Sequence, residues 1–170
     1  KAGLDHEFEE KATFLLAESY FQINKEDEST KRYQQYVNKY PKGEFIDEAL
    51  FKLGLAAFEK SDYANALVKF DQIIKDFRES NRLSMAMFYK AEIFSKNNQD
   101  DLALDLYKQA SNNFENVGLI SLRLAQINFK LGKLFRNGGI LSQIITTSIS
   151  DNSTSFIEVT TLKSAKVPFK

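Results

Sequence analysis

The stretch that decides the fold is residues 50–77, which read LFKLGLAAFEKSDYANALVKFDQIIKDF. Its first half places small and apolar side chains at the i, i+3, i+4, i+7 positions of an amphipathic helix: Leu50, Leu53, Gly54 and Ala57. The pair Ser61-Asp62 then supplies side chains suited to a helix N-cap. A second apolar stripe follows at Ala66, Phe70, Ile73 and Phe77. The stretch therefore predicts two helices joined by a short turn.

The same pattern recurs along the chain every 37 residues. We call a set of positions 37 residues apart a column. Five columns keep either small size or apolar character: Ala17/Gly54/Ala91, Tyr33/Phe70/Tyr107, Ser29/Ala66/Ala103, Tyr36/Ile73/Ala110 and Tyr40/Phe77/Phe114. A unit of two helices cannot bury its apolar face alone, so the repeats predict helical hairpins that stack on one another.

The small column has a physical role in this arrangement. Two helices approach closely only where one side chain is nearly absent, and the first helix of each pair offers Ala17, Gly54 or Ala91 there. We expect the aromatic column, represented by Phe70 in the second repeat, to fill the groove beside that position.

The pattern resembles the tetratricopeptide repeat. The second repeat matches the motif, whose usual length is about 34 residues, at Leu50, Leu53, Gly54, Ala57, Ala66, Phe70 and Ile73, with Arg78 at the usual proline position. The first repeat matches at Thr13, Leu16, Ala17, Tyr20, Ser29, Tyr33, Tyr36 and Pro41, and the third at Met87, Lys90, Ala91, Phe94, Ala103, Tyr107, Ala110 and Glu115. The resemblance covers residues 8–117 and implies an all-α, right-handed superhelical solenoid of antiparallel helix pairs. Proline survives only at Pro41, and Lys90 replaces an apolar residue.

The length of the repeat resembles one branch of this family. Three extra residues follow the second helix, in the segment Tyr40-Pro41-Lys42-Gly43-Glu44-Phe45. Bacterial cell-envelope members are similar in this respect, among them outer-membrane assembly lipoproteins of the BamD type and the periplasmic coordinator of the Tol-Pal system. The resemblance therefore implies work in the periplasm, in outer-membrane protein assembly or envelope coordination.

The C-terminal third changes in style. We expect three hairpins over residues 1–117 and one long helix of a partial fourth repeat over residues 118–139. Phe129-Lys130-Leu131-Gly132 repeats Phe51-Lys52-Leu53-Gly54 with four inserted residues, and Asn137-Gly138-Gly139 is expected to end the helix. Residues 140–170 are rich in Ser, Thr, Ile and Val. That segment is compatible with a second helix, a small β-hairpin or a disordered end.

Composition argues against several classes of function. Lys and Arg number 23, Asp and Glu also number 23, and a general nucleic-acid binder would need a basic surplus. Cysteine is absent and His6 is the single histidine, so thiolate sites and most zinc sites are excluded. Glycines are scattered, without a phosphate-binding loop. We therefore predict no enzyme, no catalytic residue, no metal and no cofactor.

The neutral total hides an uneven distribution of charge. Residues 1–118 hold 16 basic and 21 acidic residues, whereas residues 119–170 hold 7 basic and 2 acidic ones. A basic end could meet an acidic partner or anionic headgroups. Ordinary scatter over a solvated surface explains the same numbers.

The first helix of each pair should line the concave groove of the solenoid. We predict a partner-binding groove lined by Phe14, Glu18, Phe21, Phe51, Leu55, Phe58, Phe88 and Glu92. Its phenylalanines would form an apolar ladder suited to a bound helix or an extended peptide. Aromatic stripes at helical spacing also occur as core, so packing against neighbouring hairpins is the alternative.

These features predict a non-catalytic scaffold or adaptor that binds a protein or peptide segment. A membrane would be reached only indirectly, through a partner or a lost lipid anchor, since the chain begins at Lys1 and is expected to be processed or truncated. The alternative function is a cytoplasmic regulatory module cut from a larger multidomain protein. The sequence leaves the partner and the oligomeric state open.

Overall fold

A computed structural model describes residues 2–132, with side chains from Glu7 onward. These residues form seven α-helices and one short 3₁₀ turn. The elements are α1 (Ala2–Gln22), α2 (Glu26–Lys39), α3 (Ile46–Glu59), α4 (Tyr63–Asp76), α5 (Leu83–Lys96), α6 (Asp100–Ala110), the 3₁₀ turn Ser111–Asn113 and α7 (Val117–Lys130). Over this range the protein is all-α, as the sequence predicts.

The helices pack in sequence order. The first helices of the repeats, α1, α3 and α5, each pair with the second helix that follows, α2, α4 and α6. Each second helix also packs against the next first helix, so α7 lies on α6. The turn inside each pair passes through one left-handed residue, Asn24, Ser61 or Asn98, with φ of 56°, 59° and 58°. These three residues form a column, so the backbone repeats as the sequence does.

The small and aromatic columns meet as predicted. A Cβ atom added to Gly54 would lie 2.6 Å from Cε1 of Phe70. Ala17 and Ala91 are fully buried in the equivalent places, and so are the aromatic residues of the column, Tyr33 and Tyr107. The close approach of the two helices in each pair therefore depends on a small or absent side chain in this column.

The apolar core falls into two clusters. One runs through α1 to α4 and includes Ala86 and Ile93 of α5, and the other joins α5, α6 and α7. Tyr89 on α5 packs against both, because its ring lies 5.8 Å from that of Phe70 and 5.6 Å from that of Phe88. Helix α5 thus joins the two halves of the described solenoid, through Tyr89 and through Met85, which also packs against both clusters.

Helix α7 corrects the prediction for the fourth repeat. Asn128 is the buried residue 37 positions after Ala91, so the register continues without an insertion. Gly132 adopts φ of +64° just after the helix, and no atom of the described residues lies within 4 Å of a Cβ added there. It therefore ends the helix, unlike the buried Gly54. The predictions that Phe129–Gly132 repeats Phe51–Gly54, and that one continuous helix reaches residue 139, are wrong for this reason. Residues 133–139 and the Ser/Thr-rich segment 140–170 lie outside the described residues.

Candidate partner-binding face

Three of the five predicted groove phenylalanines are core residues. Phe14, Phe51 and Phe88 are only 6%, 3% and 5% exposed. Phe14 stacks on Phe45 of the next repeat at 4.6 Å between ring centroids, and Phe88 lies 4.8 Å from Phe114. Phe51 lies between Phe70 of its own second helix, at 6.1 Å, and Tyr89 of the next first helix, at 5.9 Å. The open five-ring ladder is therefore wrong, and the core alternative holds for these three rings.

The remaining predicted residues lie partly exposed on the first helices. Phe21 is 38% exposed, and Leu55 and Phe58 are partly buried. Leu55 belongs to the column that runs Glu18, Leu55, Glu92 and Phe129, and Phe129 on α7 is 68% exposed. We call the surface formed by Glu18, Phe21, Leu55, Phe58, Glu92 and Phe129 the first-helix face. It alternates apolar contact points with carboxylates.

The two carboxylates of the first-helix face accept hydrogen bonds from buried tyrosines. The Tyr107 hydroxyl donates to Oε1 of Glu92 at 2.6 Å, and the Tyr33 hydroxyl donates to Oε1 of Glu18 in the same way. Each carboxylate also faces a cation from the next first helix. Nε of Arg123 lies 2.5 Å from Glu92, and Nζ of Lys52 lies 3.9 Å from Glu18. These contacts fix the orientation of both carboxylates.

The second repeat lacks both members of this tyrosine–carboxylate pair. Its aromatic residue is Phe70, which has no hydroxyl, and the position of the carboxylate is taken by Leu55. An unpaired buried hydroxyl would be unfavourable, so the loss of both partners together leaves no polar group unsatisfied there. The result is an apolar surface between two charged ones.

Burial shapes the ionisation of these tyrosines. Burial first, and then the hydrogen bond to Glu18, raises the pKa of Tyr33 well above its ordinary value of 10.0. The pKa of Tyr107 is raised in the same way, by burial and by Glu92. Tyr36 is likewise buried, with its hydroxyl donating to Glu10 at 2.6 Å, and its pKa is raised too. All three hydroxyls therefore act as neutral donors around neutral pH.

Further charges of the first helices are paired across repeats. Arg82 donates to Glu48, whose other oxygen lies 3.8 Å from Nζ of Lys52. The ammonium group of Lys52 also stands over the ring of Phe21, 3.8 Å from its centroid. Favourable contacts of this kind add to the attraction between helices. The surface is therefore of mixed sign, and its charges are paired with one another.

A cavity of about 310 Å³ opens at the α7 end of the first-helix face. It is lined by Ser95, Tyr107, Arg123, Gln126, Ile127, Phe129 and Lys130. The cavity thus joins the Tyr107–Glu92–Arg123 contacts to the exposed ring of Phe129, and it offers an apolar wall beside a guanidinium group.

The described part of the chain contains no group of three or more residues arranged to hold a metal ion. No helix among residues 2–132 has the length and apolar character needed to cross a membrane.

Sequence reasoning missed several of these residues. Phe129 was aligned with Phe51 and left out of the predicted groove, and the pairing of tyrosines with carboxylates was not predicted. A signal for both was present in the columns. Continuing the period from Glu92 leads to Phe129, and Tyr and Glu occur together in the first and third repeats and are both absent from the second.

The fold and this surface define a solenoid of helical hairpins that presents one continuous face. The sequence matches the tetratricopeptide repeat at residues 11–43, 48–80 and 85–116. The chain therefore belongs to the tetratricopeptide repeat family, whose domains typically bind protein partners.

Solved structures agree on the fold. The tetratricopeptide-like repeats of a putative kinesin light chain from Podospora anserina share 16% identity, over 89% of this chain and 80% of that chain, with a TM-score of 0.66. MamA from AMB-1 shares 14% identity over 84% and 74% of the two chains, with a TM-score of 0.63. MamA from MSR-1 also has a TM-score of 0.63, at 14% identity over 83% and 78%. None of the curated proteins matches the sequence.

Proposed function

We propose that this chain is a non-catalytic scaffold whose first-helix face binds a segment of a partner protein. The observation that carries the proposal is the exposed Phe129 ring in line with Leu55, and Phe21 beside it, on a surface whose charges are already paired. Exposed apolar side chains rimmed by polar groups are typical of protein-binding surfaces. Paired charges leave little net field, so apolar anchors supply most of the affinity.

The chemistry of the face defines the bound segment. Apolar anchors would meet Phe21, Leu55, Phe58 and Phe129, because these are the partly open apolar groups. Between them, polar groups of the segment would face Glu18 and Glu92, which keep acceptor capacity beyond their tyrosine and cation partners. The mixed sign argues against a surface dedicated to a partner's C-terminal carboxylate, which basic clamps bind.

Selection of random peptides on the immobilised full chain tests this proposal. We expect selected peptides to share at least two apolar anchors and to lose at least tenfold in affinity to Leu55→Glu. The matched control is Val68→Glu, at an exposed position on the second helix α4, which should leave binding unchanged. Peptides that are insensitive to Leu55→Glu, or equally sensitive to both variants, would contradict the proposal.

We further propose that the scaffold works in a bacterial cell envelope, in outer-membrane protein assembly or envelope coordination. This rests on the 37-residue period and on the turn Tyr40–Phe45, which are similar to envelope members of the family. Fractionation of cells that produce the complete gene product is the test. Recovery in the periplasmic or membrane fraction is expected. Recovery in the cytoplasm, or a fused effector domain in the complete reading frame, would favour the cytoplasmic regulatory alternative.

A further inference from the structure

A second surface, separate from the first-helix face, lies on the outer side of α1. It carries four residues at helical spacing: Phe8, Ala12, Leu16 and Ser19. All four are exposed, Phe8 at 68% and Leu16 at 42%. Leu15 and Ile23 widen the apolar stripe beside them. We call these four residues the α1 outer face.

In the second and third repeats, the counterparts of these four residues are buried or partly buried. In α3, the counterparts of Ala12 and Leu16 are Ala49 and Leu53, which are buried. In α5, the counterparts of Ala12 and Ser19 are Ala86 and Ile93, and both are fully buried. The cover comes from the preceding second helix, because α2 packs on α3 and α4 packs on α5. Among the described residues, α1 has the docking surface without the helix that covers it.

The α2–α3 and α4–α5 interfaces indicate which kind of side chain would cover the α1 outer face. The covering helix α2 offers buried aromatic residues, and the hydroxyl of its Tyr36 accepts a hydrogen bond from the backbone N–H of Phe45 at 3.0 Å. Phe45 is the column counterpart of Phe8. In the second repeat, the counterparts of Tyr36 and Tyr40 are Ile73 of α4 and Phe77 just after it. The face thus fits an amphipathic helix with a stripe of large apolar side chains.

We propose that the α1 outer face docks the second helix of another tetratricopeptide hairpin, stacked ahead of α1. A second copy of this chain is the poorer occupant. Each of its described second helices, α2, α4 and α6, already carries a first helix on the docking side. The hairpin would bind as α2 binds α3, and the solenoid would grow by one repeat.

The period makes a direct test possible in the full chain. A second copy of residues 7–43 is inserted directly ahead of Glu7, which restores the natural step because Glu44 is the column counterpart of Glu7. The inserted α2 sequence should then cover the α1 outer face. Since stacked repeats stabilise their neighbours, the thermal midpoint is expected to rise by about 5 °C or more.

The substitution Leu16→Glu, made in the original copy, separates docking from mere attachment. It should shift the midpoint of the unextended chain by no more than about 2 °C, because Leu16 is exposed there. In the extended chain it should abolish the gain. The control Val68→Glu should act equally in both chains. An extended chain with no gain, or an equal effect of Leu16→Glu in both, would overturn the proposal. So would an unextended chain that sediments as a dimer and becomes monomeric with Leu16→Glu, because the occupant would then be a second copy.

Discussion

At the scale of single residues, Gly54 sets how closely a helix pair packs. An isolated view of helix propensity expects Gly54→Ala to stabilise the helix by about 1 kcal/mol. The added Cβ would instead lie 2.6 Å from Cε1 of Phe70, and overpacking of this kind costs about 1–3 kcal/mol. We predict net destabilisation, measured by urea unfolding. Gly118→Ala is the control, because its Cβ would meet only Oδ1 of Asn116, at 3.6 Å. A gain in stability from Gly54→Ala would contradict the packing described here.

Buried tyrosines make a second prediction at this scale. The pKa values of Tyr33, Tyr36 and Tyr107 are raised in the folded state, chiefly by burial. Their contribution to stability is complete below the unfolded-state pKa near 10 and is lost as the pH rises above it. Each tyrosine should lower the free energy of unfolding by about 1.4 kcal/mol per pH unit there.

The variant Tyr107→Phe isolates one of these contributions. Urea unfolding between pH 9 and 11.5 should give a slope that becomes shallower by about 1.4 kcal/mol per pH unit once the pH exceeds the unfolded-state pKa. Tyr20→Phe is a suitable control, since its ring is partly exposed. An alkaline slope that Tyr107→Phe leaves unchanged would show that burial of this hydroxyl is not responsible.

At the scale of helices, α2, α4 and α6 begin at equivalent positions of the repeat but differ in their N-cap residues. The N-cap residues are Lys25, Asp62 and Gln99, and only Asp62 accepts a hydrogen bond from its own helix, from the backbone N–H of Asn65. Asp62→Ala should cost about 1 kcal/mol. Lys25→Asn and Gln99→Asn should each stabilise the protein by about 0.5 kcal/mol or more. Thermal unfolding of the three variants checks this, and an Asp62→Ala variant as stable as the parent would contradict it.

The helices also show what the sequence could predict and what it could not. The period predicted the hairpins, the turn at Asp62 and the contact of Gly54 with Phe70, because each depends on local spacing. It could not tell core from groove at Phe14, Phe51 and Phe88. A first helix in a solenoid is covered from two sides, and periodicity alone does not say which neighbour covers which stripe. The shared sequence Phe-Lys-Leu-Gly suggested that Gly132 is equivalent to Gly54. Gly132 instead provides a left-handed backbone conformation, whereas Gly54 allows the close approach of two helices.

At the scale of the whole molecule, Tyr89 couples the two core clusters. Its ring lies within 6 Å of the rings of Phe51, Phe58, Phe70 and Phe88. Tyr89→Ala should cost about 2–4 kcal/mol. It should also separate the unfolding of α1–α4 from that of α5–α7, because repeats interact only with their neighbours. Hydrogen exchange, read helix by helix, measures this.

The control for this coupling is Tyr20→Ala. Tyr20 is a partly exposed residue of α1, and the Arg32 guanidinium lies 5.9 Å from its ring centroid. Its loss should lower stability while keeping a single transition. Two separate transitions for Tyr20→Ala, or one for Tyr89→Ala, would contradict the account of the core.

At the scale of the whole molecule, we propose that the first-helix face is the surface that binds a partner. The most direct test is an amide chemical-shift map of the full chain titrated with a peptide selected on it. We predict that the largest shifts fall on α3, α5 and α7 around Leu55, Phe58, Glu92 and Phe129, with Val68 on α4 unaffected. Shifts concentrated on the second helices α2, α4 and α6 would contradict the account.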